Sequence, residues 1–410
     1  MEQFQTYLHN YVQLGVRVGV NLQPSQTLVI QAPTTALELV RLAAKEAYAA
    51  GAKYVHVEWN DDGLTRIRTE LTPEDAFDIG PSLRAHNYDR LIERDAAFLS
   101  FVSANPDLLQ GVDPDRVAKV TKAMRAAMHN FYAGLRTDKF SWSILAVPSE
   151  VWANKMFPNE PEERRMNLLW EAVFRATRAD AADPVAAWME HLKQLQAKSD
   201  YLNAKRYRAL HYTAPGTDLT VELADDHLWV AGDSINEKGT MFVANMPTEE
   251  VFTAPKRGGV NGTVRSTKPL NYAGNLIDGF ELTFKEGKIV DFKADQGEET
   301  LKRLLETDEG ASYLGEVALV PHASPISDMG MIFYNTLFDE NASNHFAIGS
   351  AYAFTVQGGK TMSKEELAAK GLNDSLTHVD FMVGSADMSI DGIAEDGTRE
   401  PLFRNGNWAI

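Results

Sequence analysis

Residues 27–59, TLVIQAPTTALELVRLAAKEAYAAGAKYVHVEW, decide the fold of the first half of the chain. The segment opens with a short apolar run at 27–31, which is typical of a buried strand. Apolar residues then recur at helical spacing over 37–48, and Gly51 ends that helix. The alternating run at 53–59 predicts a second strand. A strand, a helix and a strand in this order form a βαβ unit, whose strands are parallel and joined by a right-handed crossover.

The sequence pattern changes near residue 212. Before this point, further segments extend the alternation of helices and strands, with helical spacing at 117–135, 161–179 and 184–207 and an apolar strand at 141–147. After it, short alternating runs are interrupted by Gly and Asn, and Glu286-Gly287 separates two such runs, which predicts a hairpin. We therefore predict two domains, a parallel-sheet α/β domain over residues 1–212 and a β-rich α+β domain over residues 213–410.

Composition excludes several classes of protein. The chain has 410 residues, with 57 Asp and Glu against 40 Lys and Arg and no cysteine, and its formal net charge is −17. Without cysteine there is no disulfide scaffold, no thiol nucleophile and no zinc site built on thiolates. The negative charge repels phosphate backbones and anionic lipids, so we expect no nucleic acid and no membrane as a partner, whereas cations stay compatible. The sequence has no secretory signal pattern and no window of about 18 uncharged apolar residues, and we expect a cytoplasmic protein.

Common catalytic motifs are missing from the sequence. It contains no G-x-x-x-x-G-K-[ST] phosphate loop, and the first βα turn, at residues 32–35, has no glycine for a dinucleotide fingerprint. It also contains neither the G-x-S-x-G nucleophile elbow nor the H-E-x-x-H zinc helix. The βαβ unit is therefore evidence of architecture and not of nucleotide binding.

The predicted second domain places histidines and acids where a strand would ordinarily be apolar. In residues 375–384, SLTHVDFMVG, an extended strand puts His378, Asp380 and Met382 on one face. Residues two positions apart in a strand are about 7 Å apart, so this imidazole and this carboxylate can converge on one cation. The alternative is a solvated strand face with an incidental His–Asp pair.

Two glutamates give weaker signals of the same kind. Glu316 is the one acid in the apolar run 315–321, GEVALVP, where a charge is costly unless it is paired or coordinated. Its alternative explanation is an edge strand that points the carboxylate to water. Glu250 lies in a stretch whose acids can instead cap a turn together with Thr248, and we expect the neighbouring Glu249 to face solvent.

A fourth stretch, residues 336–354, carries Asp339, Glu340, His345 and Tyr352 beside a run of small residues. A loop rich in Asp, Glu and Asn is usually a turn, but the adjacent histidine is less usual. Together, the four stretches favour a metal site of carboxylate and imidazole ligands. Their number exceeds what one tetrahedral ion needs, which suggests two metals that share a bridging carboxylate.

The same stretches resemble a known family, the M29 metallo-aminopeptidases, a group that includes aminopeptidases T, S and II. The resemblance runs along nearly the whole chain, including residues 18–30 (VGVNLQPSQTLVI) and 50–61 (AGAKYVHVEWND). It is most specific in five stretches: NMPTEEVFTAP (245–255), VNGTVRSTKPL (260–270), LGEVALVP (314–321), NTLFDENASNHFAIGSAY (335–352) and THVDFMVGS (377–385). One difference is Lys256, where the family pattern leads us to expect a histidine.

The resemblance implies which residues form the site. The family's metal ligands fall on Glu250, Glu316, His345, His378 and Asp380, and Glu340 is a further acid expected to reach the second metal or its water. In the mechanism that the resemblance implies, Glu316 bridges the metals and Glu340 accepts the proton of the attacking water. The hydroxyl of Tyr352 donates to the oxyanion that forms.

The resemblance also implies an activity, a cofactor and partners. The activity is release of the N-terminal residue from peptides with a free N-terminus, the cofactor is two divalent metal ions (zinc, cobalt or manganese), and the assembly is a homodimer. One alternative is another two-metal hydrolase, an amidase or a phosphoesterase, although the basic residues near the motifs are few: Lys256, Arg257, Arg265 and Lys268. A second alternative is a metal-storing or peptide-binding module without catalysis.

Overall fold

The computed structural model describes residues 2–410 except Ala104, Pro106, Asp107, Ala273 and Gly274. The chain divides into two compact units, the first comprising Met1–Glu190 and Asp233–Pro247 and the second comprising His191–Gly232 and Thr248–Ile410. None of the helices in the described part of the chain combines the length and the apolar character that a bilayer span needs.

The helices, in chain order, are α1 (Glu2–Leu14), α2 (Leu37–Ala49), α3 (Asp62–Leu71), α4 (Ile79–Glu93), α5 (Pro114–Ala127), α6 (His129–Arg136), α7 (Glu150–Met156), α8 (Glu162–Ala176), α9 (Pro184–Lys205), α10 (Glu298–Leu305), α11 (Thr336–Asp339) and α12 (Lys364–Ala369). The helix predicted at 117–135 is two helices, α5 and α6, which meet at Met128. The helices predicted at 161–179 and 184–207 are α8 and α9.

The strands, in chain order, are β1 (Thr27–Pro33), β2 (Tyr54–Asn60), β3 (Ala96–Val102), β4 (Trp142–Ala146), β5 (Ala209–Ala214), β6 (Thr217–Leu223), β7 (Ser234–Ile235), β8 (Met241–Phe242), β9 (Asn245–Met246), β10 (Val251–Thr253), β11 (Pro255–Arg265), β12 (Leu270–Tyr272), β13 (Asn275–Ile277), β14 (Glu281–Lys285), β15 (Lys288–Lys293), β16 (Leu314–Leu319), β17 (His345–Gly349), β18 (His378–Met382), β19 (Ser389–Ile393), β20 (Arg399–Arg404) and β21 (Asn407–Trp408).

The first unit is built on a parallel sheet with strand order β2-β1-β3-β4-β9. β1 pairs in parallel with β2 on one side and with β3 on the other, so the predicted βαβ unit is confirmed. Leu28, Ile30 and Leu99 on the central strands are fully buried, as expected for a parallel sheet covered on both faces. The prediction of an α/β region with a parallel sheet is therefore confirmed, and β3 is a strand that the local sequence pattern did not reveal.

The second unit contains two antiparallel sheets. One has eight strands in the order β15-β14-β11-β6-β5-β19-β20-β21, and the other has four strands in the order β10-β16-β17-β18. Strands of both sheets contribute to one hydrophobic core, in which Tyr212 of β5 and Phe346 of β17 contact each other with ring centroids 5.0 Å apart. The predicted hairpin is confirmed, because Glu286 and Gly287, both with positive φ, connect β14 and β15.

The compact units do not coincide with the domains predicted at 1–212 and 213–410. From His191 onward, α9 belongs to the second unit, and Asp233–Pro247 returns to the first unit, where β9 completes the parallel sheet. The predicted boundary at residue 212 assumes that a single crossing separates the two regions, whereas the chain crosses between the units three times. Which segments fold independently stays a prediction.

Candidate metal centre

The four-stranded sheet gathers the predicted site residues on one of its two faces. The pairing registers place Glu316, Ala347 and Asp380 side by side across β16, β17 and β18. Alternation along the strands then puts His345 and His378 on that same face, and Glu250 lies just before β10 at the edge of the sheet. The predicted sharing of one face by His378, Asp380 and Met382 is consistent with these registers. Glu316 lies on an interior strand and is only 6% exposed, so the edge-strand alternative for it is wrong.

Small residues leave space between these polar side chains. Ala318 and Ala347 separate them along the strands, and Gly349 pairs with His378. A Cβ at Gly349 would lie 2.2 Å from the carbonyl oxygen of Thr377, and its φ is +109°, so no other residue fits there without a backbone shift. The glycine is therefore required by the close approach of the backbone at Thr377, and only short side chains, Ala318 and Ala347, lie among the polar residues of this face.

The distances define two overlapping groups of ligand atoms. His345 Nε2 lies 3.1 Å from Glu250 Oε2 and 3.5 Å from Glu316 Oε1. His378 Nε2 lies 3.6 Å from Glu316 Oε2 and 3.5 Å from Asp380 Oδ1. In each group of three residues the ligand atoms lie within 4.8 Å of one another, and Glu316 belongs to both groups with a different oxygen in each. This is the arrangement that a carboxylate bridging two cations requires.

Hydrogen bonds orient both imidazoles toward the carboxylates. His345 Nδ1 lies 3.1 Å from the carbonyl oxygen of Ser343, and His378 Nδ1 lies 2.7 Å from the carbonyl oxygen of Ser350. Since a carbonyl only accepts, each Nδ1 carries the proton and each Nε2 of a neutral ring presents a lone pair to the carboxylates. Backbone carbonyls commonly fix metal-binding histidines in this way.

Carboxylates outnumber imidazoles in the two ligand groups taken together, and this affects the pKa values of their members. Burial raises the pKa of Glu316, although a hydrogen bond with His345 opposes the shift. Burial alone would lower the pKa of His345, but hydrogen bonds with two glutamates outweigh it and hold that pKa well above its usual value. Burial likewise opposes the shift at His378, where attraction by Asp380 raises the pKa to about 10. Without a cation, protons on the imidazoles therefore balance the carboxylates.

The donor set fits divalent cations. Nε2 lone pairs and carboxylate oxygens repel each other at these distances unless a proton or a cation lies between them. Asp380 Oδ1 is buried and has no hydrogen-bond partner among the described residues, as expected of an atom that points into a cation position. Imidazole nitrogen together with carboxylate oxygen suits zinc, cobalt and manganese.

Glu340 and Tyr352 lie beside the two groups but belong to neither. Burial, together with repulsion from Asp380, raises the pKa of Glu340 well above its usual value. Burial and the surrounding carboxylates also raise the pKa of Tyr352, whose ring centroid lies 4.8 Å from that of His378. The structure thus brings all the predicted residues to one place, with Glu340 outside the two ligand groups. Its role as a ligand stays a prediction.

Asn341 is a residue at the site that the sequence analysis missed. It is fully buried, its Oδ1 accepts a hydrogen bond from the Glu249 backbone at 2.7 Å, and its Nδ2 lies 3.4 Å from Glu340 Oε1. It therefore connects the segment that carries Glu250 with the segment that carries Glu340. The expectation that Glu249 faces solvent is wrong, because Glu249 is 4% exposed and its carboxylate lies 3.6 Å from the buried His191.

Asp339 has a different role from its neighbour Glu340. Its carboxylate accepts hydrogen bonds from the backbone of Phe333 at 2.8 Å and of Asn335 at 3.1 Å, which closes the loop before α11. Burial raises the pKa of Asp339 to about 6, although these backbone hydrogen bonds oppose the shift. The acids of the 336–354 stretch thus divide into one that stabilises the loop and one that faces the candidate metal centre.

Known proteins resemble this chain over its whole length. A family model described as thermophilic metalloprotease (M29) matches residues 4–408. Aminopeptidase AmpS of Bacillus subtilis is 54% identical over 410 residues, with 100% of both chains covered. Aminopeptidase 2 of Geobacillus stearothermophilus is also 54% identical, over 100% of this chain and 99% of that protein. The solved structure of wild-type AmpT from Thermus thermophilus superimposes with a TM-score of 0.93 at 42% identity and covers 99% of this chain and 100% of that chain.

The fold and the site define a class of protein, a mixed α/β chain with a candidate metal centre on one face of an antiparallel sheet. The family match makes this specific, and the chain belongs to the M29 family of thermophilic metalloproteases. The resemblance seen in the sequence is thereby confirmed, and the chain is an enzyme of the metallopeptidase class.

Proposed function

We propose that this enzyme is an aminopeptidase that removes the N-terminal residue of peptides with the help of two divalent metal ions. Glu250, Glu316 and His345 would hold one ion, and Glu316, His378 and Asp380 would hold the other. The observation that carries the proposal is Glu316, whose two carboxylate oxygens face two different histidines at 3.5 and 3.6 Å. A single-metal site has no need of such a shared carboxylate.

The remaining residues at the site supply proton transfer and charge stabilisation. Bound divalent ions lower the pKa of water and polarise a carbonyl group, which is the chemistry that peptide hydrolysis needs. Glu340 lies beside both ligand groups without belonging to either, which suits a general base that takes the proton of the attacking water and passes it to the leaving amine. The Tyr352 hydroxyl, next to His378, donates a hydrogen bond to the oxyanion of the scissile carbonyl.

Selectivity for the free N-terminus follows from what the terminal nitrogen can bind. The free α-amine of a peptide would bind one of the two ions, or its ammonium form would pair with a carboxylate that holds no ion, whereas an acylated N-terminus can do neither. The relatives are named aminopeptidases, which supports the same substrate class.

Most of the basic residues named for the phosphoesterase alternative are already engaged with acids. Three of the basic residues near the motifs are already in ion pairs with acids: Lys256 with Asp225 at 2.9 Å, Arg257 with Glu309 at 2.6 Å and Arg265 with Asp295 at 2.9 Å. These pairs lie at the surface, and an anionic substrate would also meet the buried carboxylates. The structure therefore favours peptides over phosphoesters.

The proposal extends to the metal, the assembly and the location. The ligand chemistry supports zinc, cobalt or manganese, and the family resemblance supports a homodimer in the cytoplasm. Metal analysis of the purified protein identifies the ions, and light scattering gives the oligomeric state.

The decisive experiment combines metal analysis with two matched peptides. The protein is stripped with a chelator, reloaded with each metal in turn, and assayed on one peptide with a free N-terminus and on its N-acetylated form. We expect about two equivalents of metal per chain at full activity, with cleavage of the free peptide only. Equal cleavage of the acetylated peptide would show an endopeptidase or an amidase, and activity that survives metal removal would exclude the proposed mechanism.

A further inference from the structure

Three aromatic rings form a wall that begins at the candidate metal centre. Tyr352 lies against His378, with ring centroids 4.8 Å apart, and stacks on Phe354 at 5.2 Å and an interplanar angle of 15°. Phe252 meets both of these rings edge-on, at 6.5 Å from Tyr352 and 6.1 Å from Phe354. These spacings are those of favourable aromatic pairs. We call Phe252, Tyr352 and Phe354 the aromatic wall.

The strand register explains why Phe252 lies on this side of the sheet. Phe252 pairs with Ala318, so it shares the face of the candidate ligands, whereas its neighbours Val251 and Thr253 are buried on the opposite face. The hydrophobic core on that opposite face does not include Phe252, and the side chains of Phe252 and Phe354 are only half buried. Apolar ring surface is therefore available beside the metal centre.

The wall is held in place from two sides. A short helical turn at residues 353–355 carries Phe354, and the Thr355 hydroxyl donates a 2.6 Å hydrogen bond to the carbonyl oxygen of Tyr352. Lys360 Nζ lies 5.9 Å from the centroid of Phe354, within reach of a cation–π contact. A wall fixed in this way presents its surface before a ligand arrives, which lowers the entropy cost of binding.

We propose that the aromatic wall binds the side chain of the substrate's first residue and makes the enzyme prefer large apolar residues there, such as leucine or phenylalanine. The proposal rests on the proposed aminopeptidase function. In the first residue, the α-amine and the side chain branch from the same carbon. If the amine and the scissile carbonyl lie at the metal centre, that side chain must lie within a few ångströms of it. The wall offers apolar surface at this distance, since it begins at the ring of a candidate ligand.

The test compares Phe354→Ala with Phe292→Ala, a control that also truncates a half-buried phenylalanine but lies on β15, in the other sheet. Each metal-loaded variant is assayed on Leu-, Phe-, Ala- and Gly-derivatives with the same leaving group. For Phe354→Ala we expect kcat/KM to fall about 10- to 100-fold on the Leu and Phe substrates and least on the Gly substrate. The control keeps the wild-type Leu:Gly ratio. Phe252→Leu, a milder change beside Glu250, shifts the ratio in the same direction with unchanged metal content.

The assay separates failure of the wall from failure of the function. Equal losses on the Leu and Gly substrates, or a changed preference only at the second residue, would overturn the proposal while leaving an aminopeptidase. Hydrolysis of no peptide by the wild type would instead reject the proposed function. In that case the role of the aromatic wall is tested by calorimetric measurement of the affinities of free L-leucine and glycine for the metal-loaded protein. The proposal requires that the wild type binds leucine more tightly than glycine and that Phe354→Ala loses this difference.

Discussion

The two faces of the sheet formed by β10, β16, β17 and β18 share one backbone but have opposite chemistry. On one face, residues such as Val317, Phe346 and Phe381 pair across the strands and are fully buried in the core. The other face carries Glu316 and Asp380, each of which directly precedes a core residue in its strand. Their carboxylates are also largely removed from water. The difference arises only from the alternation of side chains along each strand.

The comparison shows that the two faces contribute to stability in different ways. The apolar face stabilises the fold through the burial of hydrocarbon, and this contribution does not depend on whether protons or metal ions are bound. The polar face is unfavourable until protons or cations balance its carboxylates, so its contribution depends on what is bound. The first face should therefore tolerate small changes with little effect on catalysis, and the second should not.

Glu316→Gln should have the largest effect, because it removes the one carboxylate that both ligand groups share. We expect kcat/KM to fall on the order of 10⁴-fold and the rise in Tm on metal addition to disappear. The metal-free variant should be at least as stable as the metal-free wild type, since burial of a charge is avoided. Metal titrations followed by calorimetric melting measure both. If the variant still binds two metal ions, Glu316 does not bridge them.

Glu340→Gln should have the next largest effect. A neutral amide cannot accept the proton of the attacking water, so we expect kcat to fall about 10³-fold while the metal content stays that of the wild type. Metal analysis and steady-state kinetics on the same preparation provide the test. Loss of a metal ion together with activity would show that Glu340 is a ligand.

Asn341→Ala should have an intermediate effect that is specific to the polar face. The Glu249 backbone N–H loses its acceptor, which costs about 1–3 kcal/mol of stability, and the links to the segments of Glu250 and Glu340 are lost. We expect metal affinity or kcat to fall about 10- to 100-fold, with KM little changed.

The matched control for this change is Asn236→Ala in the first unit. Asn236 is also buried, and its Oδ1 accepts hydrogen bonds from the backbone of Lys238 at 2.9 Å and of Thr240 at 3.0 Å. Its replacement should lower Tm by a similar amount but leave metal affinity and kcat unaltered. If the two variants lose activity equally, Asn341 acts through general stability and has no positioning role.

Ile348→Val should have the smallest effect, although Ile348 lies between Ala347 and Gly349 on β17. Its side chain is fully buried on the apolar face, and removing one methylene group costs about 1 kcal/mol. The cost should be the same with and without metal, and kcat should not change. A loss of stability that appears only in the metal-loaded form would show that the two faces are coupled.

Sequence periodicity was sufficient where the information is local. The alternation in residues 375–384 places His378 and Asp380 on one face, and Glu286-Gly287 marks a hairpin, because both signals lie within a few neighbouring residues. The other site residues were also candidates from local patterns, and the resemblance to a family then favoured a metal site over their alternative explanations.

Features that depend on distant pairing were not predictable in this way. Glu316 could be an edge residue until β16 was seen to lie between β10 and β17. The burial of Glu249 and the role of Asn341 depend on a contact between segments 92 positions apart in the chain. Phe252 also became informative only when its register with β16 was known. Local patterns do not encode such pairings, which the tertiary fold determines.

The strand order also sets a sequence of assembly for the site. Glu250, Glu316 and His345 can come together once β16 and β17 have paired, whereas His378 and Asp380 arrive only with β18, the outer strand on the far side of the sheet. Because the ribosome delivers β18 last of the four, one ligand group becomes complete while the other still lacks two of its members. Of the four strands in this sheet, the last to be synthesised is thus also the one that completes the candidate metal centre, because β18 carries His378 and Asp380.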